Sequence, residues 1–407
     1  MPRLLTLGIV FFLCALCALC VSAVSSSSHA NEVGQPIDEK ADALAKKKAD
    51  LLFKLRVTKA IRQGAKWVAD RQQRNGSFRL DKNAQQGPFP QSRHGFGMSV
   101  LCTYTLADCG YPADSPIIKK ALAYIRKHYR SYMKGDHWPQ ASAYSLSLLV
   151  LALHNLYVKP ANRNRLSERD RYGRLKVDKK NPCGYPKWAR KTIRDILDWL
   201  MASQSEKGLF RYPGGFNTGT RAPPGGGPMG RPSSHFGDED LSNTQYVLLA
   251  LWAGSRCGYD ITPKMLEQIA RRLLAWQAKT GPEVMRVEDP PAGAQAPTGD
   301  HKYATPRPKH PERARRKDHA RGFPYTPGAP ITGSMTTAGL SSLVIVKAML
   351  LERNALKADL RKALDKVIWD AIAWCQLNYP LERNPGMGTT WQYYYLYGLE
   401  RAFVIMA

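Results

Sequence analysis

The chain has 407 residues, 43% of them hydrophobic and 23% charged, which excludes a disordered polymer and a small disulfide-stapled domain and leaves length for one or two packed domains. Its 60 Lys and Arg against 33 Asp and Glu give a net charge of +27, which favours anionic surfaces and says little about fold. A mean hydropathy of −0.39 with one long apolar run argues against a polytopic membrane protein.

Met1-Pro2-Arg3 leads into an apolar stretch from Leu4 to Val21 and then the small residues Val21-Ser22-Ala23, the order of a secretory signal peptide. Residues 1–23 are therefore expected to be cleaved after Ala23, with Ala30 a second candidate and an uncleaved anchor the alternative. The protein is expected in the periplasm or cell envelope, with a leader and N-terminal helix over 24–55 and one domain over 56–407. Three cysteines lie in the signal, leaving Cys102, Cys109, Cys183, Cys257 and Cys375. An odd number cannot pair completely within the chain, and these five show neither C-x-x-C nor zinc-ligand spacing.

Ala60 to Arg71 places apolar residues three and four apart, so it predicts a helix, with Gly76 past its end and Phe78 starting the return. Met98 to Leu106 is apolar on nearly all sides, which predicts a helix buried all round. It ends in Cys109-Gly110-Tyr111, and Ser115-Pro116 opens an amphipathic successor. Ser142 to Leu156 is again apolar throughout. Thr192 to Ser203 is amphipathic and repeats the first run, with Trp199-Leu200, Gln204, Gly208 and Phe210 at the offsets of Trp67-Val68, Gln72, Gly76 and Phe78. Tyr246 to Ala253 is apolar, Cys257-Gly258-Tyr259 echoes the earlier turn, and Thr262-Pro263 opens the next helix. Five pairs of one wet and one dry helix result, near 57–110, 114–158, 189–259, 262–352 and 358–405. Nothing reads as a strand series. An outer ring around an inner ring is the economical packing, with a linear solenoid the competitor.

The pattern Gly64-x-x-Trp67-Val68-x-x-x-Gln72-x-x-x-Gly76-x-Phe78, with its Trp199 to Phe210 copy, resembles the QW repeat of squalene-hopene cyclases, with Phe where those usually have Trp. Later copies are degraded: Gln277 keeps Gly281 but has Arg272 in the aromatic slot, and Trp374-Cys375-Gln376 lacks the Gly. The resemblance covers about residues 56–407 and extends to the terpenoid cyclase and protein prenyltransferase superfamily and its exported bacterial members. It implies an all-α fold, an (α/α) toroid of about five to six pairs, in which the Gln ties an outer helix end to an inner helix start. With about five pairs counted, either the helix near Ala41 to Leu55 fills the sixth place or the chain is shorter than its relatives.

Class II terpene cyclases begin reaction at a D-x-D-D motif, whose protonated middle Asp donates its proton to an alkene or epoxide while aromatic faces hold the resulting cation. Gly237-Asp238-Glu239-Asp240-Leu241 resembles it at an inner helix start, which makes Asp240 the candidate proton donor and Asp238 its partner. Leu241 stands where the last acid belongs, and acids here are also ordinary helix caps. Trp391, Tyr393, Tyr394, Tyr395 and Tyr397, joined by Tyr246 and Trp252, are candidates to line a central cavity for an isoprenoid-like apolar ligand, although at one-residue spacing only two or three can face it. No metal or cofactor is expected.

Residues 159–191 hold twelve Lys and Arg against three acids, and 281–333 is rich in Pro, Gly and charge. Both read as long basic loops able to meet an anionic envelope surface; nucleic acid is not expected for an exported chain. Two functions follow: a cyclase-like protein binding or converting an isoprenoid-like ligand, or a non-catalytic envelope scaffold binding a protein, a glycan or an anionic surface.

Overall fold

The computed structural model describes residues 39–79, 95–134, 142–158, 184–210, 239–287 and 315–406. The expected signal peptide at 1–23, Asp238 and most of both basic insertions lie outside them. The described residues form ten helices and two short strands, an all-α architecture. In chain order these are α1 (Glu39–Ala69), α2 (Gly95–Asp108), α3 (Pro116–Lys134), α4 (Ser142–Tyr157), α5 (Lys187–Ala202), α6 (Leu241–Arg256), α7 (Pro263–Trp276), β1 (Glu283–Val287), β2 (Arg315–His319), α8 (Gly333–Glu352), α9 (Ala358–Leu377) and α10 (Gln392–Met406).

The even-numbered helices pack side by side in chain order, α2 on α4, α4 on α6, α6 on α8 and α8 on α10. The odd-numbered ones lie against them: α1 on α2, α3 on α2 and α4, α5 on α4 and α6, α7 and α9 on α8. Burial follows the sequence pattern, since every residue of α6 from Leu241 to Leu251 is buried, whereas α5 buries one face, with Ile193, Ile196, Leu197 and Leu200. Removing apolar surface from water at roughly 25 cal/mol per Å² drives this layering. The hydroxyls inside the inner layer are satisfied locally, Thr103 and Thr105 donating to the carbonyls of Ser99 and Leu101 at 2.7 and 2.9 Å. The most apolar long helix, α8, is mostly buried in this layer.

Helix ends follow the expected turns. Gly110 and Gly258 take φ of +90° and +82°, letting Tyr111 and Tyr259 N–H reach back to Leu106 and Gly254 at 3.0 Å. Asn354 closes α8 in the same way at φ +52°, with Ala355 N–H on Leu350 O at 2.9 Å. The region near Ala41 to Leu55 is not a separate helix, because Glu39 to Ala69 contains no proline and a single glycine, Gly64, and so runs on as α1. Within the insertion at 281–333, β1 and β2 pair antiparallel with Glu283 opposite His319 and Val287 opposite Arg315. That hairpin lies on α9. Cys257 is disulfide-bonded, whereas Cys102 and Cys375 are free thiols.

Candidate functional site

Each outer helix that carries the glutamine repeat ends in the same latch. Gln72 bridges Phe78 and Gln204 bridges Phe210 across turns whose Gly76 and Gly208 adopt φ of +90° and +120°. At Gly76 a Cβ would lie 2.1 Å from the Lys120 carbonyl, so glycine is required there. The Gln72 amide donates to Ile117 O, at the start of the next outer helix, at 2.8 Å. The tie to the inner helix is made instead by hydroxyls: Phe78 N–H donates to Ser99 Oγ at 3.0 Å, and Phe210 N–H to Thr244 Oγ1 at 3.1 Å. A third latch is split by the insertion, with Gln277 on Arg321 O and Val367 O at 3.0 and 2.9 Å, and Phe323 N–H on Thr336 Oγ1 at 3.1 Å. Gly281 is not part of it, since Phe323 supplies the aromatic and Ala278 N–H bonds Gly322 O at 3.0 Å.

The acids before α6 divide two tasks. Glu239 is buried and accepts from Leu209 N–H at 2.8 Å, from Ser205 Oγ, and from Arg272 Nε on α7 at 2.8 Å. Asp240, also buried, is the N-cap of α6. Its Oδ1 accepts from Asn243 N–H at 2.7 Å and Ser242 Oγ at 2.6 Å, while Oδ2 meets the Asn243 side-chain amide. Burial pushes the Asp240 carboxyl above its ordinary range, against the pull of those donors. Asn243 Oδ1 is buried without a partner, and a half-turn of that amide would offer it to a proton on Asp240 Oδ2. Charged or neutral, the carboxyl finds its partners inside the cap.

From Asp240 a hydroxyl chain runs outward, because Ser242 Oγ also meets the Tyr144 hydroxyl of α4. Tyr144 packs edge-on against Tyr246 at 5.0 Å between centroids. Tyr246 in turn lies parallel to Tyr394 and Tyr397 of α10 at 6.2 and 6.0 Å. Gln245 joins three helices here, accepting from Tyr394 Oη at 2.7 Å and donating to Ser341 Oγ of α8 at 3.0 Å. Tyr246 and Tyr397 are buried, while Tyr144 and Tyr394 are half-buried and give the cluster its accessible side. The cluster has an aromatic wall, a row of hydroxyls and a buried carboxyl behind them, suited to an apolar ligand with a polar end.

Of the seven aromatic candidates, Tyr246, Tyr394 and Tyr397 meet here, and Tyr393 packs instead against Tyr395, Leu396 and Leu399. Trp252 lies further along α6 with Arg256 over its ring at 4.6 Å, Trp391 is 54% exposed just before α10, and Tyr395 is buried toward Gly333 of α8. Tyr144, Gln245 and Ser242 were not singled out from sequence; Tyr397 follows Tyr394 by three residues and shares its helix face. Near the opposite end of α6, a cavity of about 380 Å³ is lined by Tyr185, Arg190, Arg194, Asp198, Cys257 and Tyr259. Among the described residues no three His, Cys, Asp or Glu side chains group to hold a metal ion. No family model, curated protein or solved structure matches this chain.

Proposed function

We propose that the chain is an exported single-domain (α/α) toroid of the terpenoid cyclase type that holds an isoprenoid-like apolar ligand against the tyrosine cluster. The observation that carries this reading is the convergence of Tyr144, Tyr246, Tyr394 and Tyr397 from three inner helices in front of Asp240. The ring is supported by the order of the inner helices and by its two ends. Burial works to lower the Arg401 guanidinium of α10, and it is raised nonetheless by charges within electrostatic reach, among them Tyr104 and Asp108 of α2, the first inner helix. Glu400 is likewise influenced by Asp108. In this reading Asp240 orients Ser242 and Tyr144 rather than protonating the ligand, because both its oxygens are engaged within the cap.

The test is native mass spectrometry of the chain after exposure to a total envelope lipid extract, for wild type, Tyr246→Ala and Asp240→Asn. Wild type should retain an isoprenoid of unchanged mass, Tyr246→Ala should lose it, and Asp240→Asn should keep it. A product formed only with Asp240 intact, recognised by its chromatographic retention because cyclisation leaves the mass unchanged, would restore the acid to catalysis. A folded wild type that retains nothing would sink the reading and leave the scaffold function.

A further inference from the structure

The first described helix carries apolar surface that no core claims. Along α1, Leu51, Leu52, Phe53 and Leu55 are 59%, 48%, 48% and 58% exposed. Among its described side chains, from Lys47 on, this helix buries only Val57, Ala65, Val68 and Ala69. Over the same exposed turns stand Lys47, Lys48, Lys54, Arg56 and Lys59 against one acid, Asp50. Helical steps of three and four align Lys48, Leu52, Leu55 and Lys59 in one stripe, with Leu51 beside it. Two leucines are therefore bracketed, one turn away at each end, by long cationic side chains.

We infer that this stripe of α1 seats the protein on an anionic lipid surface, a contact separate from the ligand site. The leucines would enter the boundary between headgroups and acyl chains, while Lys48 and Lys59 stretch their apolar stems and place their ammonium groups among the phosphates. Charge selects this occupant over a second copy of the chain. A parallel pairing of two stripes sets Lys48 against Lys48 and an antiparallel one sets Lys48 against Lys59, so either buries leucine only by opposing like charges. A surface of anionic headgroups removes that repulsion, and the net charge of +27 adds long-range attraction.

Hydrogen exchange read peptide by peptide on the full chain tests this, because it reports on residues 47–59 whether or not the leader also anchors the protein. Vesicles of phosphatidylglycerol with phosphatidylcholine should slow exchange across 47–59; vesicles of phosphatidylcholine alone should not. Replacing both Lys48→Glu and Lys59→Glu should weaken that protection at least about tenfold in lipid concentration. Leu52→Ser with Leu55→Ser should abolish it with an unchanged helical circular dichroism spectrum. Equal protection by neutral vesicles, no protection by either, or protection that appears with protein concentration alone would overturn the inference, the last in favour of self-association.

Discussion

The second and third latches use the same glutamine and the same threonine, yet they hold their turns with carboxylates from different places. In the second, Glu239 arrives from just before the inner helix and is neutralised by Arg272, which remains 26% exposed. In the third, Asp370 arrives from the outer helix α9, fully buried, and accepts from His319 N–H at 2.8 Å and from Arg321 Nε at 2.9 Å, with Lys366 at 3.3 Å. The hydroxyl-to-aromatic bond is thus the constant part of the repeat. Buried charge is added where the turn carries an extra load: the segment from Phe210 to Glu239 in one case, the hairpin insertion in the other.

The strongest way to break this comparison is Asp370→Ala. It strands the guanidinium of Arg321 and an amide of the hairpin, so it should cost about 3–5 kcal/mol, near the whole margin of a typical domain. Urea unfolding should show a lower midpoint, with β1 and β2 losing hydrogen-exchange protection before the helices. Uniform loss across the chain would mean that Asp370 braces the core rather than the insertion. Glu239→Ala removes one cationic partner, Arg272, where Asp370 holds two, Arg321 and Lys366, so the expected cost falls to about 2–3 kcal/mol. If Glu239→Ala proved the more damaging, the number of cations held would be the wrong measure of the difference.

The constant part is sharpened by smaller changes. Thr244→Val and Thr336→Val each leave a buried N–H, that of Phe210 or Phe323, without its acceptor, and Ser99→Ala does the same for Phe78. Each should cost about 1–2 kcal/mol in thermal or urea unfolding. Near-equal values would mark the latch as one repeated device, and a negligible loss at any one would show that water or a shifted backbone replaces that hydroxyl.

Periodicity exposed the wet and dry helices because each face has one solvent, and the positions of Gly76 and Gly208 were readable because their backbone admits nothing larger at that φ. The third latch was hidden: its halves, Gln277 and Phe323, are separated by an insertion, so fixed offsets fail while the geometry persists. Asn354 closes its helix where Gly110 and Gly258 close theirs, a substitution that the left-handed conformation permits but a search for glycine passes over. At the site, the acids before α6 were visible as a motif, but their partners Ser205, Arg272 and Tyr144 come from other helices. Facing direction decided the aromatics. Tyr394 and Tyr397 share a face toward Tyr246, and Tyr395 between them turns away, a choice set by helix packing rather than by residue type.

The least perturbing change separates the two acids before α6 by pH. Burial raises the Asp240 carboxyl above its ordinary value of 3.8, so the unfolded chain gives up that proton first. Folding is then favoured most below the ordinary value, and the advantage is lost as pH rises through the window up to the raised one. Asp240→Asn retains an oxygen for the Asn243 N–H and cannot ionise, so it should keep the cap and remove this pH dependence. Glu400, also raised by burial, titrates in both proteins and cancels in their difference. The variant should therefore gain on wild type as pH rises above 3.8. A variant that instead loses ground as pH rises would mean that the donors around Asp240 outweigh its burial, and that the acid serves the fold as a carboxylate.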